Sequence, residues 1–164
     1  MSRYLRPGSE ERSLEDLHLE LRAFHDAVDQ VNQIVADRLG INRTDLRCLS
    51  IIQSRGPLTA GQLAEAAGLT SGAVTTVVDR LERAGYARRL PDPADRRRVL
   101  VDVTSKAGRD VGSIYKPLVE ETNRRLARYS PEELALIRDF IRQGREITEA
   151  HARRLAGREP AGAE

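Results

Sequence analysis

Three consecutive arginines, Arg96, Arg97 and Arg98, follow Asp95, with Pro91, Asp92 and Pro93 just before them. The chemistry they offer is recognition of phosphate and base edges, because guanidinium is permanently charged and donates through a planar fork. At the tip of a hairpin an arginine can enter a narrow minor groove, where the negative potential is deepest. Asp92 and Asp95 look adverse for contact with a polyanion. An Asp two residues from an Arg can, however, orient its guanidinium, so loss of Asp95 is expected to weaken binding although it removes negative charge. A run of like charge is otherwise a solvated face, and the triplet alone leaves both readings open.

A second set of candidate contact residues lies upstream at Thr70, Ser71, Gly72, Ala73, Thr75, Thr76, Asp79 and Arg80. No Arg, Lys, Asn or Gln occurs between Thr70 and Asp79. Recognition by this stretch must therefore rest on hydroxyls and methyls, with Ala73 and the Thr75 and Thr76 methyls suited to thymine C5-methyl groups. An A·T-containing half-site is expected, with much of the affinity from phosphate and minor-groove contacts. Arg80 reads as a phosphate or base-edge contact, or as a salt-bridge partner of Asp79 or Glu82.

The elements that hold these groups can be read from local signals. Thr59 and Gln62 form a capping box for a helix that carries Leu63, Ala64 and Ala67, and Gly68 is the residue best able to end it in a left-handed conformation. Thr70 caps a second helix, in which Val74, Val77, Val78 and Leu81 recur at i, i+3, i+4 and i+7. That apolar stripe leaves the opposite face, from Ser71 to Arg80, for a partner. Gly85 closes the helix. Residues 87–91 and 99–103 alternate or are β-branched, so they read as a two-stranded hairpin with the arginines at its tip and Arg88 and Arg89 in its first strand.

The run from Leu69 to Ser71, the segment from Val78 to Gly85, the hairpin from Asp92 to Arg97, the residues from Leu100 to Thr104 and from Lys106 to Gly108 together resemble the MarR family of winged-helix transcription regulators. The likeness extends upstream through the segment Thr44 to Leu49 and covers roughly residues 14–150. The wing is the specific part of it. The resemblance implies a mainly α fold with a small β-hairpin wing, no enzymatic activity, no cofactor, and a homodimer that binds double-stranded DNA. It implies further that Arg97 is the minor-groove arginine and Asp95 its orienting partner, with Arg96 and Arg98 beside them. A dimer would read a palindrome whose half-sites lie about one helical turn, roughly 10 bp, apart. The reading from a different class is a winged-helix module that docks an acidic protein partner through the same arginine tip.

Charge distribution agrees with the resemblance better than charge sum. The net charge is only +2, but residues 1–40 hold 8 acids against 5 bases, residues 41–109 hold 7 against 12, and the remainder holds 10 of each. The positive excess is confined to the segment expected to touch DNA. Of the 27 basic residues only Lys106 and Lys116 are lysine, a bias that hints at GC-rich bacterial coding. A chain of 164 residues is long enough for a real core, lacks an apolar run near 18 residues and has one cysteine, and its start reads as free of a signal peptide. It is read as soluble and cytoplasmic, with no membrane partner.

The flanks read as assembly helices. Leu14, Leu17, Leu21, Phe24, Val28, Val31, Val35 and Leu39 form one long stripe ending at Gly40. Ile114, Leu118 and Leu126 precede a break at Ser130 and Pro131, where Ser130 and Glu133 form a capping box. Leu134, Ile137, Phe140, Ile141, Ile147 and Leu155 continue the periodicity. The division expected is a disordered tail over 1–13, a dimerisation helix over 14–40, a winged helix-turn-helix lobe over 41–108, dimerisation helices over 109–156 and a disordered tail over 157–164. Two apolar stripes at the ends suit an isologous dimer, the alternative being a monomeric bundle.

Catalysis and metal binding find little support. His18, His25 and His151 lie outside the wing, and His18 and His25 are about 10 Å apart in helical rise, too far to chelate one ion together. Cys48 falls among Leu46, Leu49 and Ile52, as a small core residue does. The peroxide sensors of the resembled family carry their cysteine near the start of the first helix, where this chain has none, and the absence of Trp counts against the urate-responsive branch. The resemblance also implies a pocket where the dimerisation helices meet the DNA-binding lobe, for a small lipophilic or phenolic ligand whose binding releases DNA. Phe24, Val28, Leu46, Arg47 and Tyr115 are the residues expected to line it, or else to be core.

Overall fold

The computed structural model describes residues 9–157, with side chains from residue 12. In chain order these residues form α1 (Ser9–Leu39), α2 (Arg43–Arg55), β1 (Leu58–Thr59), α3 (Ala60–Ala67), α4 (Ser71–Arg83), β2 (Ala87–Pro91), β3 (Val99–Val103), α5 (Ser105–Leu126) and α6 (Pro131–Leu155). The fold is mostly helical with one small antiparallel sheet, as expected. Contacts divide the chain into two compact units, Met1–Ile114 and Tyr115–Glu164.

In the first unit the core is built from Val35, Ala36 and Leu39 of α1, Leu46, Cys48, Leu49 and Ile52 of α2, Leu63 and Ala67 of α3, and the α4 stripe. Each fully buried Leu, Ile or Val contributes about 1.5–3 kcal/mol by leaving water. Local signals end the helices where the sequence suggests: Gly40 (φ 66°) follows α1 and Gly68 (φ 67°) closes α3. Asn42 caps α2, its side chain accepting from the Asp45 N–H while the Asp45 carboxylate accepts from the Asn42 N–H.

The hairpin has the expected bounds, with Ala87 opposite Val103 and Pro91 opposite Val99. The sheet it belongs to has a third strand, however. β1 pairs with β3 through Leu58 opposite Val101 and Thr59 opposite Leu100, so the order is β1-β3-β2. Two residues carry no readable alternation, which is why this strand is invisible in the sequence.

The long stripe of α1 divides along its length. Val35 and Leu39 are buried, Leu21 and Val31 are half-buried, and Leu14 (58%), Phe24 (64%) and Val28 (39%) remain exposed. Residues 9–13, expected in the tail, are helical, and residues 1–8 lie outside the described residues, as do 158–164.

The second unit contains the end of α5 and all of α6. Ser130 caps α6 with Glu133 in the expected reciprocal pair and Pro131 in the first turn. None of the described residues of this unit is buried, and Leu118, Leu136, Phe140, Ile141, Ile147 and Leu155 are exposed. No helix among the described residues is long and apolar enough to cross a membrane.

Candidate nucleic-acid interface

The helix pair is set by its caps. Thr59 Oγ1 accepts from the Gln62 N–H at 3.2 Å while Gln62 Oε1 accepts from the Thr59 N–H at 2.9 Å. At the other end of α3 the Leu69 N–H reaches back to the Ala64 carbonyl at 2.9 Å, across the left-handed Gly68. Thr70 Oγ1 then accepts from the Ala73 N–H at 3.3 Å and starts α4.

Helix α4 buries Val74, Val77, Val78 and Leu81 to 2% exposure or less. Its other face carries Ser71, Gly72, Thr75 and Thr76 in solvent, with Ala73 half-buried. The Thr75 and Thr76 hydroxyls donate to the carbonyls of Ser71 and Gly72 one turn back, leaving their methyls and hydroxyl lone pairs for a partner. A Cβ added at Gly72 would meet nothing within 4 Å. Packing within the chain therefore does not demand glycine there.

Arg80 differs from expectation. Its partner is neither Asp79 nor Glu82 but Asp45, which is 1% exposed on α2. Nε lies 2.9 Å from Asp45 Oδ2 and Nη2 lies 2.6 Å from Oδ1, a bidentate grip that raises the guanidinium pKa further above its usual range. Sequence reading did not single out Asp45 as the partner of Arg80. The one local signal was its place three residues after Asn42, in capping-box register.

Asp79 and Glu82 are instead held by Arg89 of β2. One Nη of Arg89 lies 2.7 Å from Asp79 Oδ1, the other bonds the Glu82 carboxylate, and Glu82 Oε1 accepts from the Arg89 N–H at 3.0 Å. The hydrogen bond that Arg89 donates to Asp79 is the chief cause of a raised Arg89 pKa. Lys106 donates to the Ala84 carbonyl at 2.8 Å, and its ammonium sits 3.8 Å from the Tyr86 ring centroid. These contacts join the end of α4 to the sheet and to the start of α5.

Both wing aspartates organise the tip through its backbone. Asp92, 8% exposed, accepts from the Ala94 N–H at 2.9 Å, and its Oδ2 lies 3.7 Å from Arg98 Nε. Asp95 Oδ1 accepts from the backbone N–H of Arg97 at 3.0 Å. The expectation that Asp95 orients the Arg97 guanidinium is thus corrected: it shapes the turn that carries it. Arg98 is tied to Asp92 and Arg88 to Asp102 at 2.9 Å. Arg96 and Arg97 are exposed, and neither guanidinium has an ion pair or hydrogen bond among the described residues.

The residues expected to line a ligand pocket are dispersed. A cleft of about 500 Å³ opens between α1 and α2, lined by Asp29, Asn32, Arg43, Thr44, Leu46, Arg47 and Ser50. Leu46 and Arg47 belong to it. Phe24 and Val28 are exposed on α1 outside this lining, and Tyr115 is half-buried in the second unit. Within the cleft Arg43 holds Asp29 through both its carbonyl and its carboxylate at 2.6 Å. Cys48 is fully buried on the core face of α2, and that burial pushes its thiol pKa up. His25 stacks obliquely on Phe24 at 6.2 Å, and no three His, Cys, Asp or Glu residues cluster for a metal ion among the described residues.

The model of the MarR family matches residues 41–99. YcgE, an uncharacterized HTH-type transcriptional regulator of Bacillus subtilis (strain 168), is 40% identical over 124 residues, which are 76% of this chain and 80% of the relative. A MarR family protein from Bacillus stearothermophilus is similar in structure with a TM-score of 0.64 at 24% identity, covering 84% of this chain and 97% of that one. A point mutant of S. aureus MepR bound to an oligodeoxyribonucleotide is similar with a TM-score of 0.55 at 19% identity, over 80% of this chain and 97% of that one.

Proposed function

The chain belongs to the MarR family of DNA-binding transcription regulators, whose members are not enzymes, and from that premise we propose that it is a homodimeric, cytoplasmic repressor released from palindromic operators by a small ligand. Helix α4 is the recognition helix. Ser71, Gly72, Ala73, Thr75 and Thr76, capped by Thr70, face the major groove. The tip of the wing, from Asp95 to Arg98, faces the flanking minor groove with Arg97 foremost.

One observation carries the reading. Arg80, Arg83, Arg88, Arg89 and Arg98 are each engaged by a carboxylate or a backbone carbonyl, whereas the Arg96 and Arg97 guanidiniums at the tip have no partner among the described residues. Two uncommitted guanidiniums at the end of a hairpin, beside a helix face of short polar groups, suit a polyanionic double helix. The complex of MepR with an oligodeoxyribonucleotide supports the same use of the fold. An acidic protein partner would explain the free arginines but not the open face of α4.

The dimer is supported by the apolar residues left bare at Leu14, Leu17, Phe24 and Val28 of α1 and along α5 and α6. A second unit with no buried residue among those described has little to hold it folded alone. A twofold pairing through residues 14–40 and 109–156 would cover these faces and set two recognition helices about 10 bp apart. The ligand is read as a small phenolic or lipophilic anion. Arg47, exposed in the cleft beside Leu46 and without a partner among the described residues, supports an anionic group.

The test is Arg97→Ala, compared with the native protein on a selected operator and on unrelated duplex. A loss of about tenfold or more on the operator, the two duplexes then binding alike, is the expected result. Native affinity for the operator in that variant would remove the wing from the account.

A further inference from the structure

We propose that Asp45 is a positioning residue for DNA contact, acting through Arg80, whose outer donors it presents to a backbone phosphate. This rests on α4 being the helix that faces DNA.

Arg80 stands one turn beyond Thr76, at the end of the open face. A guanidinium has five N–H donors, and Asp45 takes two of them, the Nε–H and one on Nη2. Nη1 and the second N–H of Nη2 form the remaining edge, a two-donor fork of the geometry that phosphate accepts. No side chain or carbonyl among the described residues takes that edge, and the Arg80 side chain keeps 34% of its exposure. Asp45, by contrast, is 1% exposed, and its Oδ2 also accepts from the Asn42 N–H at 3.3 Å. The carboxylate is therefore fixed by the first turn of α2 and cannot follow Arg80 if the latter rotates.

Burying a charge on one partner is a poor route to stability, since desolvation offsets most of the attraction. What a buried carboxylate supplies well is direction. Without it, a long side chain at the rim of α4 samples many rotamers and loses entropy when it binds a phosphate. With it, the fork is already aimed.

The proposal and simple electrostatics predict opposite signs. Asp45→Asn removes a negative charge near DNA, so a field effect alone would tighten binding. Loss of positioning would weaken it about tenfold. The decisive measurement is operator affinity and its salt dependence for the native protein, Asp45→Asn, Arg80→Gln and the double variant, each first shown to keep native helix content. Expected are a salt slope reduced by about 0.9 in Arg80→Gln, the loss of one phosphate contact, and no further loss when Asp45→Asn is added to it. Binding by Asp45→Asn as tight as native or tighter overturns the proposal, as does additivity in the double variant. If Asp45→Asn does not fold, Arg80→Lys decides. Its charge is kept and its fork is lost, so operator affinity weakened as much as in Arg80→Gln carries the proposal, and native operator affinity overturns it. Failure of the native protein to bind any selected duplex, or native affinity in Arg97→Ala, would instead remove the DNA reading on which this rests.

Discussion

Asp95 accepts a hydrogen bond from the backbone N–H of Arg97, two residues on, at 3.0 Å, while the Arg97 guanidinium itself is without a partner among the described residues. The aspartate thus shapes the turn and leaves the arginine free. Together with Asp92, which is buried and accepts from the Ala94 N–H, it explains why an acidic pair sits inside the most basic loop of the chain.

This relationship separates two side chains that charge alone would treat alike. Asp95→Asn keeps an acceptor for the Arg97 N–H and is expected to bind operator within about twofold of native. Asp95→Ala loses it and is expected to weaken binding by roughly two- to tenfold, about 0.5–1.5 kcal/mol, with little change in melting temperature. Titration of operator with both variants checks this. Equal weakening in the two would return Asp95 to the role of orienting the guanidinium.

Gly72 lies in the first turn of α4 with open space where a Cβ would be. Gly72→Ala is expected to raise stability by about 0.4–1 kcal/mol, because alanine loses less backbone entropy in a helix. The same methyl would stand between the recognition helix and the groove, so operator affinity is expected to fall by tenfold or more. Thermal unfolding and operator titration on one preparation give both numbers. A variant that gains stability and keeps full affinity would mean that this turn stays clear of DNA.

Phe140 is 46% exposed on α6, in a unit with no buried residue among those described. In a monomer, Phe140→Ser would change stability by about 0.5 kcal/mol at most, as surface substitutions do. In a dimer that covers this face, the same change weakens association. Sedimentation at micromolar concentration is expected to show the native protein as a dimer and Phe140→Ser shifted toward monomer. A monomeric native protein would refute the assembly.

What was legible in the sequence was local. The capping boxes at Thr59 and Ser130, the left-handed Gly68, the valine stripe of α4 and both hairpin strands are set by residues within a turn or two of one another, and the structure has them where the periodicity predicts. Relations across the chain were not legible. Arg80 and Asp45 are 35 residues apart, so nothing in the α4 pattern names the partner, and Arg80 read as a DNA contact or as a partner of its neighbours Asp79 or Glu82. Strand β1 is two residues long and depends on β3 for its existence. The apolar run of α1 read as an assembly stripe, but where the lobe stops covering it was not legible: only its last turns meet α2, because a helix of 31 residues is longer than the lobe it packs on. Of the residues expected at a pocket, Leu46 and Arg47 line the cleft because they lie on α2, which forms one wall of it. Phe24 and Val28 sit farther toward the start of α1.

The most direct test is selection of duplexes from a random pool by the native protein, followed by binding to the winner across a range of salt. The account predicts a palindrome with A·T-containing half-sites centred about 10 bp apart, and an affinity that falls steeply and linearly on a logarithmic salt axis. Enrichment of no sequence at low or high salt would contradict it, and a half-site of G·C pairs alone would contradict the readout assigned to Ala73, Thr75 and Thr76.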